Sequence, residues 1–395
     1  MNAPSPHAQT AQNPSASAVS TTSTHPCYRA HLTPTDYVVQ TWALFGSAYQ
    51  ELNARKLFWV ALALNALIIG AVAAIGIDDS GISILGYELG IPGVTAKLFP
   101  DGQLYKQIFS TLGVGIWLAW LSTILALLST ASMFPDLATG GVDTMLSKPV
   151  GRGRLFVTKF ATGLLFTALQ VAVFAVLAFL VLGIRGGVWE VGMFVVIPLM
   201  VVFFSYLFAV QAVVGMITRS PIASVIVTLL FWIVIFLVHS GEQFTLLGMT
   251  ASRLEIEALE RKIETLQTED AKSGVILAVE AEKPQQANWK LAHDLFYAAK
   301  TIIPKSTETI GLTSRALSLA ANMPTNDEVE GEGEDASARQ QRGFFRSRSV
   351  SDRKLRQAIQ TEMDSRSVWW VVGTSFAFES VLLSFGIWYF KRRDF

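Results

Sequence analysis

Apolar residues along this chain gather into six long runs, Leu57–Ile77, Gln107–Phe134, Leu155–Ile184, Val188–Ile217, Pro221–Ser240 and Val368–Phe390. Each run is about 20 residues or more, and at 1.5 Å per residue a helix of that length matches a hydrocarbon core roughly 30 Å thick. Helices are expected because a helix satisfies its own backbone groups where there is no water. The longer runs should tilt or extend past the lipid. The expected fold is an all-α membrane protein, with spans one to five over 57–240 and the sixth span and C-terminus over 367–395.

Between Asp36 and Lys56 the pattern changes to helical amphipathicity. Val38, Trp42, Phe45, Tyr49 and Leu52 share one face, with Gln40, Gln50 and Glu51 on others. Such a helix, placed just before a span, is expected to lie in the interface with its aromatic face in lipid. Residues 1–35 are rich in Ser, Thr, Ala and Pro and have no apolar core of a secretion signal, so they read as a disordered cytoplasmic tail.

The segment 241–366 is polar and long. Ile256, Leu259, Ile263 and Leu266 follow an a/d spacing, which predicts a short helix that can form half of a helical hairpin. Trp289–Ile303 predicts a second helix ending before Pro304. Residues 324–342 are acidic and read as disordered, and 342–356 are basic.

Lys and Arg near the span ends set the orientation. With the N-terminus in the cytoplasm, the inner side carries ten: Arg55, Lys56, Lys148, Arg152, Arg154, Lys159, Arg219, Lys391, Arg392 and Arg393. The short outer segments carry three: Lys97, Lys106 and Arg185. That bias predicts both termini inside and 241–366 as an extracytoplasmic segment, since long loops are exempt from the charge rule.

Composition narrows the chemistry. The chain is 51% hydrophobic and 16% charged with zero net charge, so bulk charge makes no case for nucleic acid. One cysteine, Cys27, excludes an internal disulfide and a thiolate metal cluster. There is no phosphate-binding Gly-x-x-x-x-Gly-Lys-Ser/Thr loop, no Gly-x-Ser-x-Gly elbow and no HExxH helix. The expectation is a chain that is not itself an enzyme and carries no cofactor or metal.

The most informative stretch lies between spans two and three. Asp136, Gly140, Met145-Leu146-Ser147-Lys148-Pro149-Val150, Arg152 and Lys159-Phe160 stand at fixed spacing. Pro149 cannot continue a helix, so the chain must turn between Ser147 and Arg152, and Val142, Met145 and Leu146 form the apolar face of a short helix before it. The residues alone leave open a second reading, in which Lys148, Arg152 and Arg154 only enforce topology against lipid phosphates. With its spacing, this loop resembles the first cytoplasmic loop of the permease subunits of type-2 ABC transporters. Gly141, Gly151 and Thr158 depart from that family's usual Thr, Ser and Gly. Gly215-Met-Ile-Thr-Arg219-Ser220 is similar to the family's second cytoplasmic turn. The terminal Phe390-Lys-Arg-Arg393-Asp394-Phe395 is similar to its C-terminal Phe-x-Arg-Arg-Asp-Leu. The resemblance covers about 36–240 and 365–395.

It implies an inner-membrane exporter permease that pairs with itself or a sister subunit. It also implies recruitment of a separate ATPase carrying ATP and Mg. The implied ATPase-coupling residues are Asp136, Gly140, Val142, Met145, Leu146, Ser147, Lys148, Pro149 and Arg152. Membrane lipids are expected partners, and an envelope partner is a candidate for 241–366.

Inside the spans, Glu379 is a costly carboxylate unless paired, hydrated or protonated. It reads either as a polar point on a transport path, with Gln170, Gln211 and Asn65, or as a structural donor bonded to one of those three. Two other functions stay open: an ATP-independent membrane scaffold of an envelope complex, and a secondary transporter using Glu379.

Overall fold

The computed structural model describes residues 56–78, 81–84, 87–89, 103–138, 151–321 and 367–392, with single helical positions between Val39 and Asn53. The chain divides into an N-terminal unit, Met1–Trp42, and a second unit, Ala43–Phe395. In the first, Val39 and Trp42 are helical and exposed. In the second, Ala43, Gly46, Tyr49, Gln50 and Asn53 are helical, and Trp59 Nε1 donates to the Asn53 carbonyl at 3.2 Å. Val38, Phe45 and Leu52 of the expected amphipathic helix lie outside the described residues.

Among the described residues six helices are long and apolar enough to cross a membrane: α1 (Lys56–Ala74), α2 (Tyr105–Ala138), α3 (Arg152–Arg185), α4 (Val191–Thr218), α5 (Pro221–Thr265) and α8 (Val368–Arg392). They coincide with the six apolar runs. Within α2 the backbone over Phe109–Ser122 is wound as a π-helix. A three-stranded antiparallel meander, β1 (Ile75–Asp78), β2 (Gly81–Ile84) and β3 (Tyr87–Leu89), follows α1 directly. Nothing in the apolar runs announces it. Ile222, Ile226, Leu230, Ile233 and Leu237 make an exposed apolar stripe along α5, as a lipid-facing helix requires.

Two cations pin one end of the bundle together. Lys106 pairs with Glu190 at 2.7 Å, joining the start of α2 to the start of α4. Arg185 Nε donates to the Ala73 carbonyl at 3.0 Å, joining α3 to α1. At the other end the α4–α5 turn is sharply defined. Arg219 ends α4 in the left-handed region (φ 55°), its N–H donating to the Gly215 carbonyl. Ser220 caps α5 through Ala223 N, with Pro221 in the first helical turn.

The fifth span does not end at Ser240. α5 runs on to Thr265 without a break, 45 residues in all, about 68 Å at 1.5 Å per residue. Gly241 is too weak a signal to stop a helix whose following residues carry no proline and keep an apolar face. α6 (Glu269–Ile302) packs back along it. The predicted hairpin is therefore present, but its second helix starts at Glu269 rather than Trp289, and Pro284 sits inside it on an exposed position. Glycine makes the close approach possible. A Cβ at Gly248 would lie 2.6 Å from the Trp289 ring, and one at Gly241 2.5 Å from the Phe296 ring. The two glycines and the two rings share the same spacing, so each ring seats on one glycine.

The chain then breaks at Ile303-Pro304-Lys305, and α7 (Ser306–Ala321) turns back among the spans. It packs against α4, the π-wound part of α2, α5 and α8. Residues 306–321 therefore depart from the reading of 241–366 as one segment apart from the spans. The reason is the spacing of Thr309, Thr313 and Leu317, whose small or apolar side chains are buried as one face. Residues 322–366, with the acidic and basic runs, lie outside the described residues.

Candidate functional site

Among the predicted coupling residues, Gly140, Val142, Met145, Leu146, Ser147, Lys148 and Pro149 lie outside the described residues. Asp136 and Arg152 are described, and with them the seats from which this loop springs. On the near side Met133, Phe134, Leu137 and Ala138 are buried at the end of α2, and Asp136 is exposed. A Cβ at Gly215 would stand 2.9 Å from the Pro135 ring, so α4 lies directly on this turn. On the far side Gly151 precedes α3, and its carbonyl accepts from Arg154 N and Leu155 N. The Lys391 stem of α8 lies across Gly153. The Phe134 and Phe156 rings meet with centroids 5.0 Å apart, and both are fully buried. The two ends of the loop are thus fixed to each other and to α4 and α8.

The predicted intramembrane polar residues separate into two groups. Asn65 Oδ1 accepts from Trp117 Nε1 at 2.6 Å, and its Nδ2 donates to the Gln170 carbonyl at 3.2 Å. Gln170 Nε2 donates to Ser122 Oγ at 3.0 Å. Gln211 Nε2 donates to the Leu127 carbonyl at 2.7 Å. These bonds tie α1, α2, α3 and α4 together and serve as helix–helix glue. None of the three residues is the partner of Glu379, which corrects that expectation. Helix rotation decides this, because α8 turns Glu379 toward α4. There its Oε2 lies 2.9 Å from Ser205 Oγ, whose hydroxyl also lies 2.8 Å from the Val202 carbonyl.

Glu379→Gln is therefore expected to insert and fold with stability within about 1 kcal/mol of the parent. An amide can accept from or donate to Ser205, keeping the contact without charge. Thermal unfolding of the purified protein checks this. A large fall would show that the charge itself holds α8 to α4.

A second cluster was not visible in the sequence. Where α5, α6 and α7 meet, Lys300 pairs with Glu242 at 2.8 Å and with Glu308 at 2.5 Å. His293 Nε2 lies 3.6 Å from Glu242 Oε1. Lys300 is 3% exposed and Glu242 1%. Next to it, Lys305 donates its backbone N–H to Ser375 Oγ at 2.9 Å and its Nζ to Thr374 Oγ1 at 2.6 Å. The Lys305 ammonium also stands 4.0 Å over the Trp370 ring. Deeper among the spans the buried hydroxyl of Tyr206 has no hydrogen-bond partner. One sequence signal could have found Lys300. Val275, Val279, Glu282, Gln286, Trp289, His293, Phe296 and Lys300 recur at alternating four- and three-residue steps. A lysine on such a seam must meet a carboxylate on the facing helix.

Together these contacts form a line of buried polar groups from the hairpin to Glu379 in the middle of α8. No family model, no curated protein and no solved structure matches this chain.

Proposed function

We propose that this chain is the membrane-spanning permease half of an ATP-driven exporter of the inner membrane. It works with a second permease copy or sister subunit and with a separate cytoplasmic ATPase that carries ATP and Mg. The carrying observation is the loop 136–160, whose residue pattern resembles that family and whose two ends are rigidly seated. Phe134 and Phe156 join those ends beside Gly215 of α4 and Lys391 of α8. A push delivered to these ends moves α2 and α3 as packed units. The ten-to-three charge bias supports placing this loop and both termini in the cytoplasm. The buried polar line reaching Glu379 supports a path for a polar solute.

The test is the double change Met145→Ala with Leu146→Ala. Interface energy concentrates in apolar anchors, and their loss costs about 2 kcal/mol or more, about thirtyfold in affinity. The expected result is normal insertion with an ATPase that no longer co-purifies or is no longer stimulated by substrate, while Lys148→Ala acts mildly. Intact recruitment and stimulated hydrolysis in the double variant would remove the coupling role from this loop. A second reading, a membrane scaffold for an envelope partner, is favoured by the continuation of α5 some 25 residues beyond Ser240, about 37 Å of helix. A chain that purifies with an outer partner and without any ATPase would select it.

A further inference from the structure

The last two turns of α6 are inside out for a helix in water. Over residues 295–302 the one charged side chain, Lys300, is buried against Glu242 and Glu308, whereas Leu295 is 72% exposed and Ile302 75%. The exposed Thr301 hydroxyl donates to the Tyr297 carbonyl at 2.9 Å and so needs no water. Outward charge begins only with Asp294 and Lys290, farther from Pro304.

α8 fixes the depth of this stretch. The Tyr297 ring stacks on Trp370 with centroids 5.8 Å apart, and Lys305 N–H donates to Ser375 Oγ at 2.9 Å. α8 is a candidate span that starts at Val368, so Ser375 lies about 10 Å along it. Residues 297–305 therefore run beside the first two turns of a membrane-crossing helix. The break after α6 also suits lipid, which tolerates non-helical backbone only where protein covers it. Pro304 has no N–H, that of Lys305 is bonded, and both residues are buried. The neighbouring surfaces continue the pattern. The exposed stripe of α5 extends past Leu237 to Phe244, which meets the Trp289 ring edge-on at 5.7 Å. Trp369, at the start of α8, is 85% exposed, and tryptophan is enriched at the boundary between lipid and water.

We propose that residues 295–302 of α6 are embedded in the lipid leaflet on the side where α8 begins. Leu295 and Ile302 stand among acyl chains, and Asp294 and Lys290 stand at the level of the headgroups. A helix of another protein fits this face less well. A helical seam between proteins in water is flanked by charges, and the flanks here are Ala298, Ala299 and Thr301. The base of the hairpin is thereby anchored in lipid, and the Lys300 charge pairs are shielded from water, which strengthens them.

Spin labels on the full-length protein test this. In a Cys27→Ser background, Leu295→Cys, Ile302→Cys and Lys283→Cys would each carry one nitroxide in vesicles of phosphatidylcholine and phosphatidylglycerol. All three positions are exposed, so the labels displace no packed side chain. Lys283 lies about 28 Å up the helix from Ile302. Collisions with oxygen, which concentrates in lipid, are compared with those of a water-soluble nickel chelate. The expected result is a several-fold excess of oxygen over nickel collisions at 295 and 302, and the reverse at 283. Nickel-favoured labels at 295 and 302 would place this face in water, and labels shielded from both reagents would place it against protein. Either result overturns the proposal.

Discussion

Lys300→Met is expected to destabilise the protein by about 3–5 kcal/mol, because it strands Glu242 and Glu308 as unbalanced carboxylates in a buried site. Methionine fills much the same volume, so the loss is electrostatic rather than a packing defect. Lys300 is where three helices converge: it belongs to α6, Glu242 to α5 and Glu308 to α7. The break should therefore appear as early release of α7, read by limited proteolysis near Pro304 before the spans unfold. Adding Glu242→Gln to Lys300→Met removes one stranded charge and should recover part of the loss. Such recovery would mark the effect as a coupled charge interaction. Unchanged stability in Lys300→Met would mean that this cluster does not fasten α7 at all.

Gly192→Ala carries the second large effect. Glycine to alanine in a helix ordinarily stabilises by up to about 1 kcal/mol. Here a Cβ would fall 1.8 Å from the carbonyl oxygen of Ala320 and 2.3 Å from its carbonyl carbon. Both are backbone atoms, so no side-chain rotation relieves the clash and the C-terminal end of α7 must move off α4. The expected cost is about 2–3 kcal/mol, in the range of overpacked cores. Gly274→Ala on α6 is the matched control, since nothing lies within 4 Å of its added Cβ. A fall in melting temperature for Gly192→Ala with none for Gly274→Ala is the expected pair. Equal behaviour of the two would show that α7 does not seat on Gly192.

Together the two changes test both ends of one element. α7 is held at its start by the Lys300 charges and by Lys305 on α8, and at its end by backbone contact with the first turn of α4. It lies against the end of the bundle where α4 begins, while the ends of the α2–α3 connection are fixed at the other end, on α4 and α8. α4 and α8 touch both regions.

The number and placement of the spans were legible in the residues alone. Hydropathy over 20 residues is a property of the linear chain, and lipid demands it whatever the neighbours are. The helical hairpin after Pro221 was legible in part, through the a/d spacing at Ile256–Leu266 and the helix stop at Pro304. The partner of Glu379 was not. Asn65, Gln170, Gln211 and Ser205 all lie in spans, and only the rotation of α8 against α4 selects Ser205. The continuation of α5 past Ser240, the return of α7 and the Lys300 cluster were likewise decided in three dimensions. Each depends on a close approach, of Trp289 to Gly248, Phe296 to Gly241 and Ala320 to Gly192. A glycine in a linear sequence does not say which neighbour its missing side chain admits. Chain composition determined that this protein resides in a membrane, because burial in lipid is read one residue at a time. Tertiary packing determined where its buried charges meet, because a buried charge is tolerated only beside a particular partner.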